Sequence, residues 1–294
     1  MKQENGHMNK ERDPDGLSDL FSSRTKIPWE KSKEEVWNNL EESIMKEDQS
    51  QMQIRHLHPN RNWLALAASL VLLLSVTTFI RFYTINTHCP EGVRTSLQLP
   101  DGSSVELNAS TDLSYHPYWW FISREVKLEG EAFFSVEKGR KFQVVSTSAA
   151  TEVLGTTFNV FARGADYIVT CHTGRVRVSE DLTGDAVTLS PNERSLLEPS
   201  GGFTVTKLEN LLDSPGWIEN MIMFSSAPLR FVFDEIERQF GIVIETPAEM
   251  QQVYSGNFSL EQPVENILSL LCLPFDLVYE HQTGNKYLVY PSVD

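Results

Sequence analysis

The sequence predicts a mainly β domain, a sandwich or a solenoid-like stack, followed by a small α+β domain. A single transmembrane helix and a short helical N-terminal segment precede them. Three observations carry this reading. An eighteen-residue run from Trp63 to Ile80 contains no charge and no proline. Beyond it, short apolar stretches alternate with period two and are separated by turn residues. After about residue 213 the period shifts to that of helices interleaved with strands. The domain boundaries that follow are 1–62, 63–82, 90–212 and 217–294.

The apolar run, as a helix rising about 1.5 Å per residue, is roughly 27 Å long. That is close to the thickness of a hydrocarbon core, about 30 Å. Arg61 and Arg81 bracket it, and Trp63 and Tyr83 stand where interfacial aromatics belong. About sixty polar residues come before it, which separates it from a cleavable signal peptide. Lys46, Arg55 and Arg61 on one flank against Arg81 and Arg94 on the other favour a cytoplasmic N-terminus by a small margin.

In the N-terminal segment the marks at Leu17, Leu20 and Phe21 amount to one nascent turn. A helix starts at Ser32, whose hydroxyl and the Glu35 carboxylate fit a capping box. Val36, Trp37, Leu40 and Ile44 then fall on one face, with Glu34, Glu41 and Glu42 on another. One amphipathic helix has no core of its own, so it needs a partner. Its mixed, acidic polar face suits a protein better than a membrane surface.

In the β region, alternation is clear at Val105–Leu107, Val126–Leu128, Phe142–Val145, Phe158–Val160, Val176–Val178 and Phe203–Val205. In the last region Leu229, Val232, Phe233, Ile236 and Phe240 form a helical stripe closed by Gly241. A strand Ile242–Ile244 follows, then one around Tyr254 and Phe258. A second helix starts at Pro263, and two closing strands span Phe275–Tyr279 and Lys286–Tyr290.

The formal net charge of −15 argues against a nucleic-acid partner, because phosphate binding needs a basic face. Cys89, Cys171 and Cys272 are an odd number at wide spacing, which is no disulfide framework; one pair has the option of bonding in an oxidising compartment. No cofactor motif is present. His56 with His58, and His88 with Cys89, lack the further ligands a metal requires. Cys171 and His172 are adjacent on a strand and point to opposite faces, so they do not form a nucleophile–base pair. No enzyme constellation is found. The one chemical option is Gly155–Thr156, in a tight passage between strands. There the threonine hydroxyl would attack the Gly155 carbonyl and shift the acyl group from N to O. Water would then split the ester, leaving a Gly155 carboxylate and a new amino terminus at Thr156. A turn glycine is the plainer reading.

Four segments carry a family resemblance. Leu99-Pro-Asp-Gly-Ser-Ser-Val-Glu-Leu-Asn-Ala109 is followed by Arg124-Glu-Val-Lys-Leu-Glu-Gly-Glu-Ala-Phe-Phe134. Val153-Leu-Gly-Thr-Thr-Phe-Asn-Val160 and Thr173-Gly-Arg-Val-Arg-Val178 come next. In this order they resemble the periplasmic domain of FecR-type sigma-factor regulators. The segment from Trp217 onward resembles that family's C-terminal module, related to the short signalling domain of secretins and TonB-dependent receptors. The resemblance implies a single-pass protein of a Gram-negative inner membrane. Its cytoplasmic segment would bind an extracytoplasmic-function (ECF) sigma factor through Val36, Trp37, Leu40 and Ile44. Its periplasmic part would receive the signalling domain of an outer-membrane TonB-dependent receptor, with Ile242, Val243 and Ile244 as the edge for strand addition. Site-specific proteases near the membrane would complete the relay. The alternative is a membrane-anchored periplasmic binding module, for example for glycans, using Tyr115, Tyr118, Trp119 and Trp120 as its platform.

Overall fold

The computed structural model describes residues 31–49, 61–180, 183–209, 212–247 and 250–292. The turn at Leu17, Leu20 and Phe21, the pair His56/His58 and Arg55 lie outside the described residues.

Helix α1 spans Lys33–Gln49 and belongs to the first of two units, 1–66 and 67–294. Its start is the predicted one, with the Glu35 amide donating to Ser32 Oγ at 3.2 Å. Helix α2, Arg61–Phe82, contains the apolar run. Its span Asn62–Phe82 has a mean hydropathy of 2.2 and none of its residues is buried in the protein; it is long and apolar enough to cross a bilayer. Only Tyr83 and Thr84 separate it from strand β1, Ile85–Cys89.

Among the described residues the β module holds thirteen strands in one continuous sheet that folds over on itself. They are β1, β2 (Thr95–Gln98), β3 (Ser104–Leu107), β4 (Thr111–Tyr115), β5 (Arg124–Ser135), β6 (Phe142–Val145), β7 (Ala149–Val153), β8 (Thr157–Arg163), β9 (Asp166–Cys171), β10 (Val176–Glu180), β11 (Ala186–Leu189), β12 (Glu193–Leu197) and β13 (Phe203–Lys207). The long strand β5 belongs to both halves. Its first part pairs with β4 and, in parallel, with β6, and its second part pairs with β3 and β8. The switch falls at Gly130, where φ is +125°. A Cβ there would stand 2.6 Å from Thr111 Cα, so only glycine permits the crossing. Between the halves lies a core that includes Val105, Leu107, Phe134, Phe142, Phe158 and Val178, all fully buried.

The C-terminal module comprises β14 (Met221–Pro228), α3 (Leu229–Phe240), β15 (Val243–Glu245), β16 (Val253–Ser259), α4 (Val264–Cys272), β17 (Leu277–His281) and β18 (Lys286–Pro291). Strands β14 and β16 pair as a hairpin-like ribbon, and the other three form a sheet in the order β15-β18-β17. One core, with Leu229, Phe233, Ile236, Ile267, Leu271 and Val289, joins both sheets to both helices. Gly241 closes α3 in the left-handed conformation, with φ of 64°. Pro263 stands just before α4 rather than inside it.

Candidate functional site

The polar residues of three sequence motifs meet at the joint between the modules. Glu131, inside β5, is almost wholly buried. It accepts hydrogen bonds from Asn108 Nδ2 at 2.8 Å, Asn159 Nδ2 at 2.8 Å and Trp217 Nε1 at 3.1 Å. From α3, Gln239 donates to Asn108 Oδ1 and to Glu235 Oε1, both at 2.8 Å. Arg238 in turn holds Glu235 Oε2 at 2.8 Å. Burial, then the neighbouring Glu235 carboxylate, push Glu131 above the ordinary carboxylate range, while its amide partners and Arg163 oppose this. Arg163 itself ties down the carbonyls of Ser110 (2.6 Å) and Ala109 (2.7 Å). Around this centre Arg94 reaches the Trp217 carbonyl and, at 2.9 Å, Asn220 Oδ1. The Gly92 amide donates to the Arg238 carbonyl at 2.8 Å. Most of these buried groups are paired, with Asn159 Oδ1 and Arg163 Nε left without a partner among the described residues, and the shared bonds tie the two modules together.

Beside the joint lies a cleft of about 730 Å³, bordered by Ile168, Leu212, Trp217, Met223, Phe231 and Arg194. His172 forms part of its wall, with Nδ1 at 3.0 Å from the Leu212 carbonyl, and burial holds its pKa down. Cys171 points the other way, into the β core, where burial pushes its thiol up to about 11.

The other predicted positions are dispersed. On α1, Val36, Trp37, Leu40 and Ile44 are all exposed, Trp37 at 68%. Ile242 and Ile244 are buried in the C-terminal core, and Val243 faces outward. Strand β15 is an edge of its sheet. The Ile244 amide is occupied by Glu237 Oε1, and the Val243 amide by the Asn285 carbonyl at 3.0 Å. Gly155 has φ of +150°, and Thr156 Oγ1 is buried with no hydrogen-bond partner among the described residues. All three cysteines are free and buried.

The aromatic cluster is not one platform. Trp120 is a core residue, 3% exposed, and meets Tyr115 and Phe142 edge-on. Tyr118 instead packs on Tyr83 and Phe79 of the α2 end, with ring centroids at 5.3 and 6.4 Å. Tyr118 remains 55% exposed and Trp119 half-buried, while Trp120 is in the core, so the four rings do not lie on a single exposed face.

Sequence reasoning passed over Glu131, Trp217, Glu235 and Gln239. One signal was present: a carboxylate at Glu131 between Gly130 and the apolar Ala132-Phe133-Phe134, where a strand enters the core.

The arrangement defines a class: a helix long and apolar enough to cross a membrane, leading into a folded-over β module bolted to a small α+β module. The chain belongs to the FecR family. Residues 83–177 match the FecR protein family and residues 221–289 its C-terminal family, together more than half of the sequence. Two crystal structures of a candidate anti-sigma factor from Parabacteroides distasonis, at 2.50 and 1.65 Å resolution, share the fold. Each is 24% identical with a TM-score of 0.65; they cover 72% and 71% of this chain and 100% of their own. No curated protein matches the chain.

Proposed function

We propose that this protein is an anti-sigma factor of the inner membrane, with its N-terminus in the cytoplasm and both FecR modules in the periplasm. Helix α1 holds an ECF sigma factor through Val36, Trp37, Leu40 and Ile44. The module from Trp217 onward receives the signalling domain of an outer-membrane TonB-dependent receptor, with the β15 edge at Ile242, Val243 and Ile244 as its contact. Proteolysis near the membrane releases or reshapes the sigma-bound segment. Transcription of uptake genes is the output.

The observation that carries this reading is the exposed apolar face of α1, ahead of a span-length helix that leads into two FecR modules. A helix of seventeen residues is marginal alone in water, so a face carrying Trp37 and Ile44 is stabilised by what covers it.

The test is a pull-down with residues 1–62 as bait. Recovery of a sigma factor, lost on Trp37→Glu, supports the proposal. Recovery of none, with the bait shown to be helical, overturns it. Reporter fusions at both ends test the topology: activity of both in one compartment overturns the relay.

A further inference from the structure

The sequence offers the aromatics of the 116–123 loop only as a platform in the alternative reading, and the fold gives the loop a specific position. Strand β1 starts two residues after α2 and pairs with β4, so that Ile85 lies opposite Tyr115. The chain leaves β4 through His116 and a 3-10 turn at Pro117–Trp119. This places the loop beside the end of α2. His116 Nδ1 lies 3.1 Å from Thr84 Oγ1 and 3.1 Å from the Tyr83 carbonyl. Tyr118 packs at a tilt against Phe79 and Tyr83, and Phe79 is inside the apolar run. The Arg81 guanidinium sits over the Trp119 ring at 5.1 Å.

Beyond these contacts the loop turns large apolar side chains outward. Phe121 is 81% exposed and Ile122 is 64% exposed, followed by exposed Ser123. Two such side chains at the tip of a tight loop cost solubility unless something covers them.

We infer that the 116–123 loop is a second membrane anchor, with Phe121 and Ile122 inserted among the lipids where α2 leaves the bilayer. The inference rests on α2 spanning the membrane. Depth is the argument. Tyr118 touches Phe79, which belongs to the hydrocarbon segment, so the loop stands at the level of the last helical turn. Tyr118, Trp119, Phe121 and Ile122 there have the composition of an interfacial belt, while Trp120 between them faces the β core. Arg81, stacked on Trp119, is placed to meet lipid phosphate while its stem stays in apolar surroundings. The occupant is therefore the headgroup–acyl boundary of a phospholipid bilayer, continuous with the lipid that surrounds α2.

The experiment uses the full chain in phosphatidylethanolamine–phosphatidylglycerol vesicles. An environment-sensitive fluorescent amino acid is placed at position 121 in one sample and at position 72, midway along α2, in another. Quenchers are carried near the headgroup end of the acyl chain, near its terminus, or as iodide in the buffer. At position 121 the expected result is blue-shifted emission, strongest quenching by the shallow lipid quencher, and several-fold protection from iodide. At position 72 the deep quencher acts most. Full iodide quenching at 121, with a normal response at 72, overturns the anchor and leaves the span intact. Protection at 121 from iodide and from lipid quenchers alike shows a protein covering the loop and also overturns it. Failure at both positions overturns the span and the anchor together.

Discussion

Arg124 and Asp101, the one opening β5 and the other in the β2–β3 turn, form a buried ion pair with Nε 2.6 Å from Oδ2. The same guanidinium donates to the carbonyls of Arg140 at 2.7 Å and Glu137 at 3.0 Å. One side chain thus ties the β2–β3 turn to the loop that returns the chain from the end of β5 to β6.

Breaking that pair has a direction and a size. Arg124→Ala strands a nearly buried carboxylate and two carbonyls, and is expected to destabilise the β module by about 3–5 kcal/mol. Burial would raise the Asp101 pKa, but the Ser103 amide and hydroxyl and the Arg124 guanidinium outweigh it and hold it below the ordinary value. The pair's contribution is therefore complete above about pH 4 and is lost as pH falls through the depressed folded-state value. Urea unfolding of the full chain in detergent between neutral and acid pH reads this, and Asp101→Asn is expected to be less stable with a flatter acid limb.

Glu131 predicts the opposite slope at the joint. Its carboxyl is pushed up by burial and by Glu235, so its penalty is absent at acid pH and grows as pH rises to the folded-state value. Glu131→Ala leaves the Asn108, Asn159 and Trp217 donors without their acceptor. Unsatisfied donors cost about 1–3 kcal/mol each and do not add fully, so a loss of about 3 kcal/mol is expected. Trp217→Phe, which removes one N–H, costs about 1 kcal/mol plus a small packing loss. Limited proteolysis between β13 and β14 is the readout: cleavage accelerates strongly in the first variant and slightly in the second.

Gly155 and Thr156 separate packing from chemistry. A Cβ at Gly155 would lie 2.7 Å from Lys138 Cα, so Gly155→Ala is expected to destabilise by more than about 1 kcal/mol. Thr156→Val removes a buried hydroxyl with no described partner and is expected to be neutral or to stabilise by up to about 1 kcal/mol. Mass spectrometry of the purified chain decides the acyl shift. Fragments meeting at Gly155 and Thr156, absent from the valine variant, establish it; an intact mass after long incubation removes it.

The exposed face of α1 sets the expected sigma-binding energetics. An anchor such as Trp37 or Leu40 contributes about 2 kcal/mol or more when desolvated in an interface. Trp37→Ala or Leu40→Ala is then expected to weaken sigma-factor capture by roughly 30-fold. Melting of the two FecR modules is unchanged, and calorimetry against the captured sigma factor measures the difference.

The cysteines are expected to be chemically silent. Cys89 and Cys171 are fully buried and Cys272 is 2% exposed, and burial raises the Cys171 and Cys272 thiols to about 11. Maleimide at neutral pH should label none of them in the folded chain and all three after denaturation.

Much of this architecture was legible from residue pattern. The apolar run, the capped start of α1, the α3 stripe closed by Gly241 and the alternating strands around β3, β5 and β10 all carry local signals. What escaped has no such signal. Strand β14 reads Met-Ile-Met-Phe and then Ser-Ser-Ala-Pro, an apolar run without alternation, interrupted by an irregularity between Phe224 and Ala227. Strand β1, with its exposed His88 and Asn86, shows its place only through pairing with β4. The joint was hidden because its partners stand far apart in the chain: Glu131 and Trp217 are 86 residues apart, Asn108 and Gln239 are 131 apart. Composition gives no hint of a hydrogen bond closed over that distance.

The two residues between α2 and β1 leave no slack. Tyr83 is hydrogen-bonded to Phe79 through its amide and to His116 through its carbonyl, so even this short stretch is held. A force on the two modules has no tether to stretch and reaches the rod directly. An inserted run of glycine and serine after Thr84 would act as a clutch, letting the modules turn while the helix stands still.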